Sequence, residues 1–126
     1  MDNCQTIDIE DALQAALNAQ GIKAAAPPVP ANLKPCVYIY RTGGYGTNYV
    51  QDLHTVDFDV YAETEAEAME QADELTRWVR SLEGRDIGVP VYISQITTLP
   101  YNNPDPSHYN LPRATFAAQI TTRVTH

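Results

Sequence analysis

Apolar side chains recur every three to four positions in two parts of the chain, and this spacing predicts two helices. In the first part, Ile9, Leu13 and Leu17 share one helical face, and a glycine follows where a helix commonly ends. The second part opens with a Thr-x-x-Glu capping box, which a long apolar stripe follows. We therefore expect helices over about residues 8–20 and 65–82.

Four other segments alternate apolar and polar residues and are rich in β-branched and aromatic types, which predicts β-strands. In the second of them, Val56, Phe58 and Val60 fall on one face, while Asp57, Asp59 and Tyr61 fall on the other. This strand is therefore expected to have one buried face and one solvated face. The predicted strands cover residues 37–42, 55–62, 91–99 and 113–124.

Three segments carry residue types that are typical of connections. Prolines are so dense within residues 24–35 that a helix or a central strand is excluded, and we expect a stiff, extended connector. The residues between the first two strands, 43–53, are too many for a tight hairpin and are predicted to form a long, mobile loop. Residues 100–108 consist of turn-forming types and are predicted to form a second long loop.

The predicted order of elements is helix, strand, strand, helix, strand, strand. Paired strands interrupted by a helix are typical of an α+β fold. We expect two layers, with a mainly antiparallel four-stranded sheet and both helices on one of its faces. A chain of 126 residues is long enough for one hydrophobic core, so residues 1–126 are expected to form a single domain.

The net charge limits the partners that the protein can have. Asp and Glu number 16 against 8 Lys and Arg, which gives a formal charge of −8 at pH 7. Gripping nucleic acid requires a basic surface, and anionic membranes attract basic proteins, so the charge argues against both classes of partner. Hydrophobic residues make up 44% of the chain, which is far more than a disordered protein contains.

Cysteine usage and the N-terminal residues bear on the compartment. Cys4 and Cys36 are too few for a disulfide framework, and neither belongs to a zinc-type spacing. The first residues lack the basic start and the apolar stretch of a secretory signal. We therefore expect the chain to stay in the cytoplasm where it is made.

Motifs for catalysis or ligand binding are weak in this sequence. His54, Asp57 and Asp59 are residue types that bind metals or act as acid and base, but the histidine is expected on the opposite strand face from the carboxylates. The glycines after the first strand lack the following helix that a phosphate-binding loop requires. We therefore expect no catalytic residue, no metal and no cofactor. A small cytoplasmic α+β metal-dependent enzyme or ligand-binding module that uses these three residues stays open as an alternative.

The chain has eight tyrosines, and they lie on the predicted strands or in the two long loops. Tyrosine is enriched at protein interfaces because it combines a large apolar area with a polar tip. We expect at least three of the eight to contact another chain.

Several short motifs mark the ends of the predicted elements. The first strand ends in Arg-Thr-Gly-Gly (41–44), the second strand reads Thr-Val-Asp-Phe-Asp-Val-Tyr-Ala (55–62), and Thr-Glu-Ala-Glu-Ala (64–68) opens the second helix. Leu-Pro-Tyr (99–101), with Asn-Pro-Asp just after it, precedes a closing strand that contains Ala-Thr-Phe-Ala-Ala-Gln-Ile (114–120). These motifs, in this order, resemble the tail terminator proteins of long-tailed bacteriophages.

The resemblance implies a structural role in the virion and no enzymatic activity. Such proteins form a hexameric ring on the last ring of the tail tube, stop its polymerisation and join the tail to the head. The implied partners are further copies of this chain, the major tail tube protein and the neck or head-completion proteins, with DNA only as the passing genome and no membrane. The implied location is the tail–neck junction of the virion. Another neck or head–tail connector protein is the nearest alternative.

Two sets of candidate residues follow from the resemblance together with the tyrosines and the charge. Interface residues are expected in the two long loops and at the end of the first strand: Arg41, Gly43, Gly44, Tyr45, Tyr49, Tyr101, Asn103 and Tyr109. Acidic residues are expected to line the bore of the ring, where they would repel DNA phosphates: Asp57, Asp59, Glu67, Glu70 and Glu74.

Overall fold

The residues that the structure describes form two helices and a five-stranded mixed sheet, which confirms the predicted α+β class. The computed structural model describes residues 8–46 and 50–124. The elements in chain order are α1 (Ile9–Ala19), β1 (Ala24–Ala25), β2 (Cys36–Gly46), β3 (Gln51–Tyr61), α2 (Glu65–Ser81), β4 (Val91–Asn102) and β5 (Arg113–Arg123).

The sheet has the strand order β1-β2-β3-β5-β4, and its four long strands pair in antiparallel fashion as expected. The predicted number of four strands was wrong, because part of the proline-rich connector pairs with β2 in parallel. There the Val37 amide donates to the Lys23 carbonyl at 2.9 Å. Pro27 and Pro28 follow β1 and have no N–H to donate, so the added strand stays short and lies at the edge of the sheet.

The predicted long loop over residues 43–53 was wrong. Strand β2 continues to Gly46 and β3 begins at Gln51, with Tyr45 opposite Leu53 and a bulge between Arg41 and Gly43. Gly43, Gly44 and Gly46 fall in the predicted loop, but they are paired residues of β2. Residues 100–102 likewise belong to β4 and not to the second predicted loop.

Both helices begin with the caps that the sequence indicates. The Asp8 carboxylate accepts the amides of Glu10 and Asp11 at the start of α1. The Thr64 hydroxyl accepts the Glu67 amide at 3.1 Å at the start of α2. These caps satisfy amides that have no partner within a helix, so local sequence places both helix starts.

Both helices bury their apolar sides in one core on the same face of the sheet. Phe58 of β3 and Phe116 of β5 stack at the centre, with ring centroids 4.6 Å apart. The core also contains the apolar stripes Ile9, Leu13 and Leu17 of α1 and Ala68, Ala72, Leu75 and Val79 of α2. The expected arrangement of two helices on one face is therefore present.

The opposite face of the sheet, which we call the helix-free face, is not uniformly solvated. Tyr38, Tyr61 and Leu111 form a second, smaller cluster there, against which Val29 and Leu33 of the connector pack. The prediction of a solvated face on β3 was therefore wrong at its C-terminal end, where Asp59 and Tyr61 are buried.

Candidate functional site

Large apolar side chains are exposed at both ends of the strands. Tyr45 is 64% exposed, Leu99 65%, Tyr101 45% and Tyr109 83%. The tyrosines of this group are three of the predicted interface residues; a fourth, Tyr49, lies outside the described residues. Exposed aromatic residues of this kind are typical of surfaces that contact another protein.

The register places part of this apolar surface in one row across the helix-free face. Tyr45, Leu53, Thr121 and Ile93 are successive cross-strand neighbours on β2, β3, β5 and β4. Tyr101 lies on the same face, opposite Thr115. The row crosses all four long strands, with the exposed side chains of Tyr45 and Ile93 at its two ends and the buried Thr121 between them.

Other predicted interface residues are used within the chain. The Arg41 amide donates to Glu10 Oε2 at 2.7 Å, which ties β2 to α1. Asn103 Nδ2 donates to Thr115 Oγ1 at 3.1 Å, which ties the loop after β4 to β5. Gly43 and Gly44 are paired residues of β2. All four positions therefore take part in contacts within the chain.

His54 is buried on the helix-covered side of β3. Its Nδ1 accepts from Arg41 Nε at 3.0 Å, so its Nε2 carries the proton and donates to Thr122 Oγ1, also at 3.0 Å. Burial, followed by the nearby Arg41 charge, lowers the pKa of His54, which agrees with a neutral ring. Both ring nitrogens of His54 thus form hydrogen bonds within the chain.

The three residues of the enzyme alternative do not meet. His54 faces the core, whereas Asp57 and Asp59 belong to the helix-free face, as their spacing predicted. Within residues 8–46 and 50–124, no group of three or more His, Cys, Asp or Glu side chains is placed to hold a metal ion. The geometry thus gives this combination of residues no common site.

A polar network joins the second loop to the sheet, and we call its five members the clasp. Tyr61 donates to Asp105 Oδ2 at 2.8 Å, and His108 Nδ1 lies 2.8 Å from the same oxygen. Arg113 Nη1 lies 3.6 Å from Asp59 Oδ2 and 3.9 Å from Asp105 Oδ2. No local pattern in the sequence indicates the clasp, since its members come from β3, β5 and the loop between β4 and β5.

The clasp also reaches the proline-rich connector, because His108 Nε2 lies 2.9 Å from the Pro30 carbonyl oxygen. A carbonyl oxygen only accepts hydrogen bonds, and an ionised carboxylate does the same. Both ring nitrogens of His108 must therefore donate, which makes the side chain an imidazolium. The hydrogen bond to Asp105 is the main factor that raises the pKa of His108.

Asp105 is held in its ionised form by the same contacts. Burial disfavours its charge, but hydrogen bonds from the Ser107 amide, His108 and Tyr61 outweigh that effect and lower its pKa to about 2. The clasp therefore contains an ion pair of His108 and Asp105, through which the loop is tied to the connector.

We expect the clasp to loosen as the pH rises. The folded pKa of His108 is raised above 6.5, so its stabilising contribution is fully present below about pH 6.5 and is lost as the pH rises through the folded value. Imidazole chemical shifts should show His108 titrating above 6.5 and His54 below it. Protection factors for amide exchange within residues 103–112, which remove the intrinsic rise of exchange with pH, should fall as the pH rises above 6.5. A His108 that titrates at or below 6.5 in the wild type would contradict this, and Asp105→Asn should lower its pKa.

The predicted acidic lining does not form one surface. Glu67, Glu70 and Glu74 are exposed on α2, whereas Asp57 and Asp59 lie on the opposite side of the sheet. Asp59 is also buried, and its carboxylate accepts from Thr115 Oγ1 at 2.8 Å in addition to pairing with Arg113. The five residues therefore belong to two separate surfaces, the exposed side of α2 and the helix-free face of the sheet, and the acidic lining stays a prediction.

Neither a protein-family model nor a curated protein matches this chain. Among the described residues, no helix is both long enough and apolar enough to cross a membrane.

Proposed function

We propose that this protein is a virion structural protein, a phage tail terminator that forms a ring of six copies on the end of the tail tube. The observation that carries the proposal is the set of large apolar side chains exposed on β2, β4 and the loop after β4. A ring subunit needs such surfaces, because each copy must cover different patches of two neighbours. The motifs that resemble tail terminators support the same assignment.

The edge formed by β4 favours contacts through side chains over the addition of further strands. Strand β4 forms one edge of the sheet, and it carries Pro100 and three irregularities in its pairing with β5. Bulges and proline on an edge discourage the addition of further strands. Such an edge suits a closed ring of defined size and disfavours an extended aggregate.

In the proposed ring, the tail tube protein meets one end and the neck or head-completion proteins meet the other, at the tail–neck junction of the virion. DNA passes through the bore without adhering. Glu67, Glu70 and Glu74 are the predicted lumen residues that stay exposed and unpaired with a cation in the described part of the chain. Their charge would repel DNA phosphates if α2 faces the bore.

Mass and tail length test the proposal. Six copies of the 14.0 kDa chain should give a particle of about 84 kDa by light scattering when the protein assembles alone. If it assembles only on its template, the ring should form on purified tail tubes. Phage assembled without the protein should yield headless tails of uncontrolled length. Tails of normal length would contradict the terminator assignment and favour another neck component. A protein that stays monomeric and does not bind tubes would contradict both.

The exposed tyrosines provide a more local prediction. Replacing Tyr45, Tyr101 and Tyr109 with Ser should abolish ring formation and leave the unfolding midpoint nearly unchanged, because all three side chains are exposed. Tyr92→Ser is the matched control, since Tyr92 is an exposed tyrosine outside the predicted interface. Rings that form equally well in the triple variant and in the control would argue against a tyrosine-based interface.

A further inference from the structure

A cleft lies between the proline-rich connector and the start of β2. Its lining includes Lys23, Pro30, Asn32, Lys34, Cys36 and Tyr38. Alanine and proline side chains give the cleft an apolar wall, and the two lysines add positive charge to it. Neither the sequence motifs nor the proposed function accounts for this cleft.

The charge of the cleft is unusual for this protein. Lys23 and Lys34 are the only two lysines of the chain, and residues 22–35 contain no Asp or Glu. Both lysines are exposed, and neither forms a salt bridge with any residue that the structure describes. The acidic residues of α1 lie in its first turn, whereas Lys23 comes after the other end of that helix. The cleft therefore carries two uncompensated positive charges in a protein with a net charge of −8.

The complementary surface lies on α2 of the same chain. Residues 63–74 contain six acidic residues and no basic one. Glu67, Glu70 and Glu74 follow each other at helical spacing, and all three are exposed. Helix α2 packs over β3, β4 and β5, whereas the cleft lies beside β1 at the other edge of the sheet. One copy thus presents a positive cleft and a negative helix, and the two approach each other where Glu74 lines a cavity with Gln20 and Ile22.

We propose that the cleft receives the acidic face of α2 from a second copy of this chain. Two different, complementary patches on one subunit give a head-to-tail contact, which is the kind of contact that generates rings. The lysines would set the register of the contact and speed association, while the apolar wall would be covered by the helix. This inference deepens the proposed function and rests on the self-association that the function assumes. It places Glu67, Glu70 and Glu74 at the contact between two copies instead of at the bore.

Another polyanion is a weaker occupant. A nucleic acid would meet two lysines but also the field of a chain whose remaining charge is strongly negative. Every copy carries both the acidic helix and the cleft, so the two surfaces are always present at equal concentration. The acidic charges also repeat along a rigid helix. A second copy is therefore the occupant that the charge distribution favours.

Paired charge reversals test the contact. The cleft variant K23E/K34E and the helix variant E70K/E74K should each weaken self-association, on the order of 100-fold, because like charges then face each other. An equimolar mixture of the two variants should restore particles of wild-type mass, since every contact in an alternating ring is again complementary. R85E/R123E is the matched control, because it makes the same change in net charge as the cleft variant. Light scattering and mass photometry on native-like folded variants give the readout.

The outcomes separate this inference from the proposed function. If the wild type forms rings and K23E/K34E forms them as well as R85E/R123E does, the inference is overturned and the ring proposal stands. Rings that survive in K23E/K34E while tube binding is lost would assign the cleft to another protein and would also overturn it. If the wild type forms rings only on tail tubes, the same comparison is made there. A wild type that never associates, with or without tubes, overturns both.

Discussion

Replacing Arg113 with Met is expected to destabilise the protein by about 3 kcal/mol, because it leaves Asp59 and Asp105 with no guanidinium beside them. Asp59 is buried, and Asp105 is largely covered by the loop that it holds. The substitution also removes the hydrogen bond from Arg113 Nε to the Asn103 carbonyl at 2.7 Å. Methionine fills a similar volume, so the loss should come from charge and hydrogen bonding more than from packing.

Urea unfolding followed by the fluorescence of Trp78, the only tryptophan, measures this effect. Arg123→Met is the matched control, because Arg123 is an exposed arginine on the same strand and forms no salt bridge with a described residue. Adding Asp59→Asn to Arg113→Met should recover part of the loss, since the uncompensated buried charge is then gone. Equal midpoints for Arg113→Met and Arg123→Met would show that the clasp contributes little to stability.

The clasp and the cleft share a boundary, which links two parts of the molecule. His108 donates to the Pro30 carbonyl oxygen, and Pro30 lines the cleft that contains Lys23 and Lys34. The loop between β4 and β5 thus holds the connector in place, although it lies more than seventy residues later in the chain. A rise in pH that removes the His108 proton should therefore also change the shape of the proposed docking cleft.

Local signals in the sequence were sufficient for the helices. Asp8 and Thr64 cap helices where the sequence places them, and Gly21 follows α1 with a φ of 83°. Each of these features depends on residues within one turn of a helix, so no knowledge of distant contacts is needed. The α+β class follows in turn from the order of helices and alternating segments.

The features that could not be predicted depend on residues far apart in sequence. Tyr61 and Arg113 meet Asp105 only because β3 and β5 are neighbours in the sheet, an arrangement that no local pattern specifies. For the same reason, Asp59 appeared to be a solvated residue. Glycine is common in turns, so the glycines after Thr42 favour a loop in the sequence. In the structure, glycine instead permits two backbones to approach closely within the sheet.

Gly44→Ala is expected to destabilise the protein by about 2–4 kcal/mol and to open the end of the β2–β3 hairpin. Gly44 has a φ of 141°, which side chains rarely adopt. An added Cβ would overlap the Leu53 carbonyl oxygen and lie 3.1 Å from His54 Cα, and both are backbone atoms that cannot rotate away. Opening the hairpin end would displace Tyr45 from its place opposite Leu53.

The adjacent glycine supplies the control for this substitution. A Cβ added at Gly43 meets nothing within 4 Å, so Gly43→Ala should change the unfolding midpoint only slightly. Amide exchange of the β3 residues from Leu53 to Thr55 should become faster in Gly44→Ala and stay slow in Gly43→Ala. If Tyr45 takes part in the proposed ring contact, Gly44→Ala should also impair assembly under conditions in which the rest of the fold is intact. Equal behaviour of the two variants would mean that the close approach of β2 and β3 at Gly44 does not constrain the hairpin.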